Sequence, residues 1–137
     1  MASIHDSLLV GYTVDGLART ITLRTVPDRG MGGAFEVRFS KVVAYHFEGD
    51  CLQNILSGIL EVQPKAVLSG NETARFKSYG WPSGWDEKRQ SLPEFVAAQG
   101  ARWYELNCAY GMGGWVAAAE MVVVPAEAPG AGQPEGV

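Results

Sequence analysis

Only two cysteines, Cys51 and Cys108, and two histidines, His5 and His46, occur in the 137 residues. That excludes a small module framed by disulfides and leaves a closed zinc site short of ligands, so no metal is expected. Charge is also scarce: Asp, Glu, Lys and Arg make up 19% of the chain and the formal net charge is -4. Clustered cations are what phosphate backbones select, so no direct nucleic-acid partner is expected. No apolar run approaches the roughly 20 residues a membrane-spanning helix requires. The opening Met-Ala-Ser-Ile-His-Asp has neither the basic start nor the apolar stretch of an export signal. A cytoplasmic location follows as the expectation, with both thiols reduced and packed as small buried hydrophobes. Signatures of bound phosphate and of hydrolysis are missing too. The glycine-rich segment 27–34 leads into Phe-Glu-Val-Arg-Phe rather than into Gly-Lys-Ser/Thr and a helix, which excludes a phosphate loop. Ser83 stands between Pro82 and Gly84, without the Gly-x-Ser-x-Gly elbow that presents a nucleophile.

What the chain does have is apolar content of 47%, patterned mostly with the period of strands. Leu8, Val10, Tyr12 and Val14 alternate, Asp15-Gly16 intervenes, and Leu17, Ile21 and Leu23 follow. Asp-Gly suits a two-residue hairpin turn, which would set Val14 against Leu17 and Val10 against Ile21, with Arg19 laid over the Tyr12 ring. From 35 to 48 the odd positions are apolar except Lys41, which predicts a strand with a bend or bulge near Ser40-Lys41. Near the end, Tyr104, Leu106, Cys108 and Tyr110 alternate, Gly111-Met-Gly-Gly114 reads as a loop, and Trp115 to Val124 is apolar on both faces. Such a strand must be covered on both sides.

Helical signals are fewer. Asp50 with Leu52, Ile55 and Leu56 predicts a short capped helix, followed by a strand at 58–62. Residues 65–78 predict a helix interrupted near Gly70-Asn71. Ser91-Leu-Pro-Glu94 is a capping box, with Pro93 in the first turn and Gly100 positioned to end the helix. The resulting fold class is α+β, a mainly antiparallel sheet of about six or seven strands with about two or three short helices. One domain is expected over residues 1–124. From Pro125 to Val137 the Pro, Gly, Ala and Glu content predicts a flexible tail, because such a segment buries too little apolar surface to offset its ordering entropy.

Three groups of residues have the types that chemistry or recognition needs. His46 and Glu48 share one face of a regular strand, beside Asp50, and an imidazole next to a carboxylate can move protons. Pairing Tyr110 with Trp115 would set Glu105 against Glu120, and facing carboxylates either share a proton or take a neutralising arginine such as Arg102. The bland alternatives are a polar strand end capped by Asp50 and a slipped register that separates the glutamates. The third group is aromatic. Tyr79, Trp81 and Trp85 in one Gly/Pro loop, and Tyr110 and Trp115 around the other, are residues that anchor binding surfaces or plug the end of a core, and both loops could line one groove.

The segments 9–25, Val-Ala-Tyr-His-Phe-Glu-Gly-Asp at 43–50 with Asn54-Ile-Leu56, Tyr-Gly-Trp-Pro at 79–82 and Gly-Trp-Val at 114–116 resemble small bacterial proteins of the toxin-immunity type. The resemblance implies a stand-alone α+β domain and an inhibitory role, and assigns no binding residue. The expected function is a non-enzymatic protein-binding domain, an immunity-type inhibitor of a bacterial toxin, without a cofactor and acting as a monomer or homodimer. Its negative charge would favour encounter with a basic toxin. The alternative is a small enzyme or ligand-binding domain using His46 and Glu48 or Glu105 and Glu120.

Overall fold

The computed structural model of the chain describes residues 7–27, 33–68 and 70–126. His5, most of the glycine-rich loop at 27–34 and the tail beyond Ala126 lie outside the described residues. Six strands form one antiparallel sheet: β1 (Ser7–Asp15), β2 (Thr20–Pro27), β3 (Phe35–Glu48), β4 (Asn54–Val62), β5 (Arg102–Tyr110) and β6 (Gly113–Pro125). The expected antiparallel sheet is therefore present, with six strands and two α-helices, but it closes on itself in the order β1-β2-β3-β6-β5-β4 as a barrel. Two three-stranded meanders, β1 to β3 and β4 to β6, meet along a long β3–β6 edge and a short β1–β4 seam. Closure removes most of the exposed sheet edge that an open sheet would present. Among the described residues no helix is long and apolar enough to cross a membrane.

The barrel interior is filled by Leu9, Ile21, Leu23, Phe35, Val37, Phe39, Leu56, Leu106 and Val116, with Met112 and Tyr104 completing the core. The first hairpin reaches it by a different register from that expected. Asp15 pairs with Thr20 and Val14 with Ile21, so residues 16–19 form the loop and Tyr12 faces Leu23 rather than Arg19. The cause is local. Asp15 Oδ1 accepts the Leu17 and Ala18 N–H groups at 3.0 and 2.9 Å, folding the aspartate onto its own turn. A bulge between Leu9 and Gly11 then shifts the alternation, placing Leu9 inside and leaving Val10 exposed. The expected irregularity in β3 is present: Lys41 has φ +53, and the β6 register shifts between Val42 and Ala44. The two departures together keep Phe39, Val42, Tyr45 and Phe47 directed at the barrel core.

The helix expected over Asp50 to Leu56 is absent; those residues are a crossing loop and the start of β4. Loop 49–53 carries the chain from β3 over the ends of β6 and β5 to β4, which breaks any helical run. The other helical expectations hold in part for 65–78, where Gly70-Asn71 open the helix instead of splitting it, and fully for the helix after Ser91. A 3-10 turn at Pro64–Ala66 and α1 (Gly70–Tyr79) divide the 65–78 region near Gly70, and α2 (Leu92–Ala98) starts at the Ser91/Glu94 capping box and is followed by Gly100 at φ +76. Both helices pack outside the barrel on Ala44, Trp103, Trp115 and Ala117 through Phe76, Leu92, Phe95 and Val96. Over residues 115–118 β6 is buried on both faces, Val116 and Ala118 pointing into the barrel and Trp115 and Ala117 lying under the helices. The cover expected as far as Val124 stops there, and Val122 is exposed because no helix packs on that half of the strand.

Gly114, at φ +147, lies against the His46 carbonyl and the Phe47 Cα, so a Cβ there would strike backbone that cannot rotate away. Gly58 faces open space. Gly114→Ala should therefore lower stability by about 2–3 kcal/mol. Gly58→Ala should change it by less than about 1 kcal/mol. Urea unfolding midpoints at fixed m-value measure both, and equal midpoints would refute the β3–β6 close approach.

Candidate functional site

A cleft of about 440 Å³ opens between the tip of the β1–β2 hairpin, the irregular middle of β3 and the segment Trp81–Gly84. It exists because β2 pairs with β3 only as far as Ile21↔Phe39, after which β3 runs on without a strand partner on that side, tied to the hairpin loop by the Val42 N–H to Arg19 O bond. The walls are Val14, Ile21, Val42, Val43, Tyr45 and Trp81, with Phe95 of α2 behind them. Its polar groups are Asp15, Arg19, Thr20, Ser83 and Gln99. Trp81 is held in place by its backbone N–H to Phe76 O at 3.0 Å and by ring contacts with Phe76 and Tyr45. A broader depression of about 670 Å³ lies beside Gln63–Lys65, Leu68, Thr73 and Pro93, with no aromatic side chain in it. An apolar cleft with a few converging polar groups is the better candidate for ligand recognition.

The expected aromatic surface divides. Trp81 lines the cleft, whereas Trp85 is half-buried in the outer core and donates its indole N–H to Gln90 O at 3.0 Å. Trp115 is only 2% exposed, packed on Trp103 and Phe76, and donates Nε1–H to Glu72 Oε2 at 3.1 Å. It therefore fastens α1 to the barrel and presents no surface. Tyr79 and Tyr110 are exposed, and Tyr110 stands opposite Ile55 in the β4–β5 ladder. The two aromatic loops thus do not line one groove.

His46 and Glu48 do share a face, with Nε2 and Oε1 at 3.2 Å, His46 half-buried and Glu48 open to solvent. Neither lines the cleft. The facing pair Glu105 and Glu120 does not form: Glu105 is opposite Trp115 and Glu120 opposite Ser40. The β5–β6 ladder runs only from Arg102↔Ala118 to Leu106↔Gly114, and β5 continues to Tyr110 paired with β4 alone. Arg102 reaches Glu61 rather than either glutamate. Among the described residues no three His, Cys, Asp or Glu side chains gather where a metal could sit. The thiols also depart from expectation, since Cys51 is exposed and Cys108 only partly buried, though that burial raises the Cys108 pKa above the ordinary thiol value.

Sequence reading missed the most connected polar group. Asn54, buried at the β1–β4 seam, accepts the Met112 N–H at 2.8 Å and the Cys51 N–H at 3.3 Å on Oδ1, while Nδ2 donates to Asp50 Oδ1 at 3.0 Å. Asp50 also accepts the Leu52 N–H and the Tyr12 hydroxyl. The Asn54 hydrogen bond, followed by that of Leu52, holds the Asp50 carboxyl below its ordinary pKa, whereas partial burial and then the Asp50 charge raise that of Tyr12. The one sequence signal was the pair of glycines, Gly49 and Gly111, both at positive φ, that let the two connections approach.

Asn54→Ala would leave the Met112 and Cys51 N–H groups without their acceptor, at a cost of about 2–4 kcal/mol in denaturant unfolding. The depressed Asp50 pKa gives a pH signature of known sign. Its stabilisation is complete above the unfolded-state carboxyl pKa and is lost as pH falls through the lower folded-state value. The stability gap between the wild type and Asp50→Asn should be widest near neutrality and close below the usual carboxylate range; a gap independent of pH would exclude this assignment. Comparisons of the chain with protein-family models, with curated proteins and with solved structures find no match.

Proposed function

We propose that the chain is a non-enzymatic protein-binding domain, an inhibitor of the immunity type whose target is a toxin with a basic face. The observation that supports this reading is the first hairpin. Val10 is 51% exposed, Val14 40% and Leu17, at its tip, 99%, so large apolar side chains project from a single stretch of eight residues counted from Val10 to Leu17. The same stretch offers free backbone groups, since β1 pairs with β4 only from Ser7 to Leu9. A strand with one open edge and exposed apolar side chains can take a partner by strand addition, with backbone bonds giving affinity and side chains giving selectivity. The net charge of -4 adds long-range attraction for a cationic partner.

One observation favours the second reading, a small enzyme or ligand-binding domain: the His46–Glu48 contact at 3.2 Å. Proton transfer needs a substrate held beside the dyad, and the cleft is lined by neither residue.

Affinity capture from the source cells, at low and high salt, decides between the readings. The expected result is one stoichiometric basic protein, retained better at low salt and lost with Leu17→Asp and Val10→Asp in variants that keep the wild-type unfolding midpoint. Absence of a specific partner at either salt, or capture unaffected by both substitutions, would overturn the inhibitor reading.

A further inference from the structure

Beyond a protein contact on the outer hairpin, we propose that the cleft at the hairpin tip is a binding site for a small aromatic monocarboxylate, anchored by Arg19. The fold leaves the charge of Arg19 unanswered at this cleft. Asp15 and Arg19 both border the cleft. The aspartate is committed to its own loop, where Oδ1 accepts two backbone N–H groups. The Arg19 guanidinium has neither an ion pair nor a hydrogen bond among the described residues. Asp15 keeps its charge but is held by its own loop, whereas the Arg19 guanidinium is held by no described group and offers a planar fork of donors whose geometry matches a carboxylate.

Its position is fixed although its side chain is unpaired. Arg19 has φ +58, a conformation unfavourable for a residue with a Cβ, and its carbonyl accepts the Val42 N–H at 3.0 Å. That bond ties the hairpin tip to the β3 irregularity and holds the base of the side chain at the cleft rim. Behind it stand Val43, Tyr45, Trp81 and Phe95, so the cleft places aromatic and branched surface beside one cation. At about 440 Å³ the space falls within the range that small-molecule sites occupy. An apolar ring against Trp81 and Tyr45 with its carboxylate on Arg19 satisfies both features. A neutral ligand would leave the guanidinium unused, and a cationic one would have the Arg19 charge against it and only the Asp15 carboxylate, already shared with two loop N–H groups, to answer it.

The test uses three probes of one shape: 3-phenylpropionate, 3-phenylpropan-1-ol and 3-phenylpropylamine, titrated into the full chain by calorimetry. Amide and indole chemical shifts of Ile21, Val43 and Trp81 locate any binding. The acid is expected to bind at least about tenfold more tightly than the alcohol, and the amine more weakly still. Arg19→Gln should remove that advantage while leaving alcohol binding and the thermal midpoint unchanged, because its side chain supports no other group. Arg19→Lys should restore part of it, as a charge without the fork. Lack of binding by the acid, equal affinity for acid and alcohol, an unaltered acid affinity in Arg19→Gln, or shifts confined to residues outside the cleft would each overturn the proposal. None of these readouts involves Val10, Leu17 or a captured protein, so the site and the inhibitor reading succeed or fail separately.

Discussion

The buried carboxamide of Asn54 is the constraint on which barrel closure depends. The β1–β4 seam has three residue pairs, Ser7↔Leu56 to Leu9↔Asn54, and Asn54 closes its end. Through Met112 the same side chain ties the start of β4 to the β5–β6 connection, and through Cys51 and Asp50 to the loop that crosses from β3. A buried amide must have its partners, so only an arrangement that brings all these segments together satisfies it. Gly111 permits the approach, since a Cβ there would collide with the Asn54 side chain. A small polar knot thus sets the relative position of two meanders whose apolar alternation alone would tolerate several registers.

A second organising element lies outside the barrel. Four aromatic rings, Phe76, Trp81, Trp103 and Trp115, make a chain of edge or tilted contacts with centroids 5.0 to 5.9 Å apart. They bury the outer faces of β5 and β6 and orient α1 and the Trp81 segment against the sheet. Such contacts add modestly to the area buried by each ring, and the Trp115–Glu72 hydrogen bond satisfies an indole N–H that this packing would otherwise strand. The cleft is a by-product of the same packing. The Trp81 segment stands off from the hairpin tip at the place where β2 ends and β3 continues, leaving a space that neither core fills. The cleft thus lies between the two packed layers, while the outer hairpin keeps an open edge and exposed apolar side chains.

Local features were legible from the residues. The capping box at Ser91 and Glu94, the irregularity at Lys41 and the two-faced burial of the first half of β6 each arise from neighbours within a few positions. The shared face of His46 and Glu48 follows from strand period in the same way. Asp15-Gly16 misled because an aspartate before glycine can either occupy a tight turn or accept the N–H groups of a wider one, and here its carboxylate takes the Leu17 and Ala18 N–H groups of the wider one. Tryptophans in Gly/Pro loops are equally ambiguous. Trp115 serves the core and Trp81 the cleft although both pack on Phe76 of α1, because Trp115 lies in β6 beneath that helix whereas Trp81 follows its end and faces the hairpin tip.

By itself the sequence determined the periodicities, the helix boundaries around α2, the scarcity of metal-ligating side chains and a largely antiparallel sheet, all of which depend on short-range backbone and side-chain preferences. Tertiary structure alone decided closure into a barrel, the pairing of Glu105 with Trp115 instead of Glu120, and the isolation of the Arg19 charge at the rim of an aromatic cleft. The physical reason is that alternation specifies which side chains share a face but not which strand lies opposite. That choice rests on contacts such as Asn54 to Met112, separated by 58 residues and made by groups with no pattern to mark them in advance.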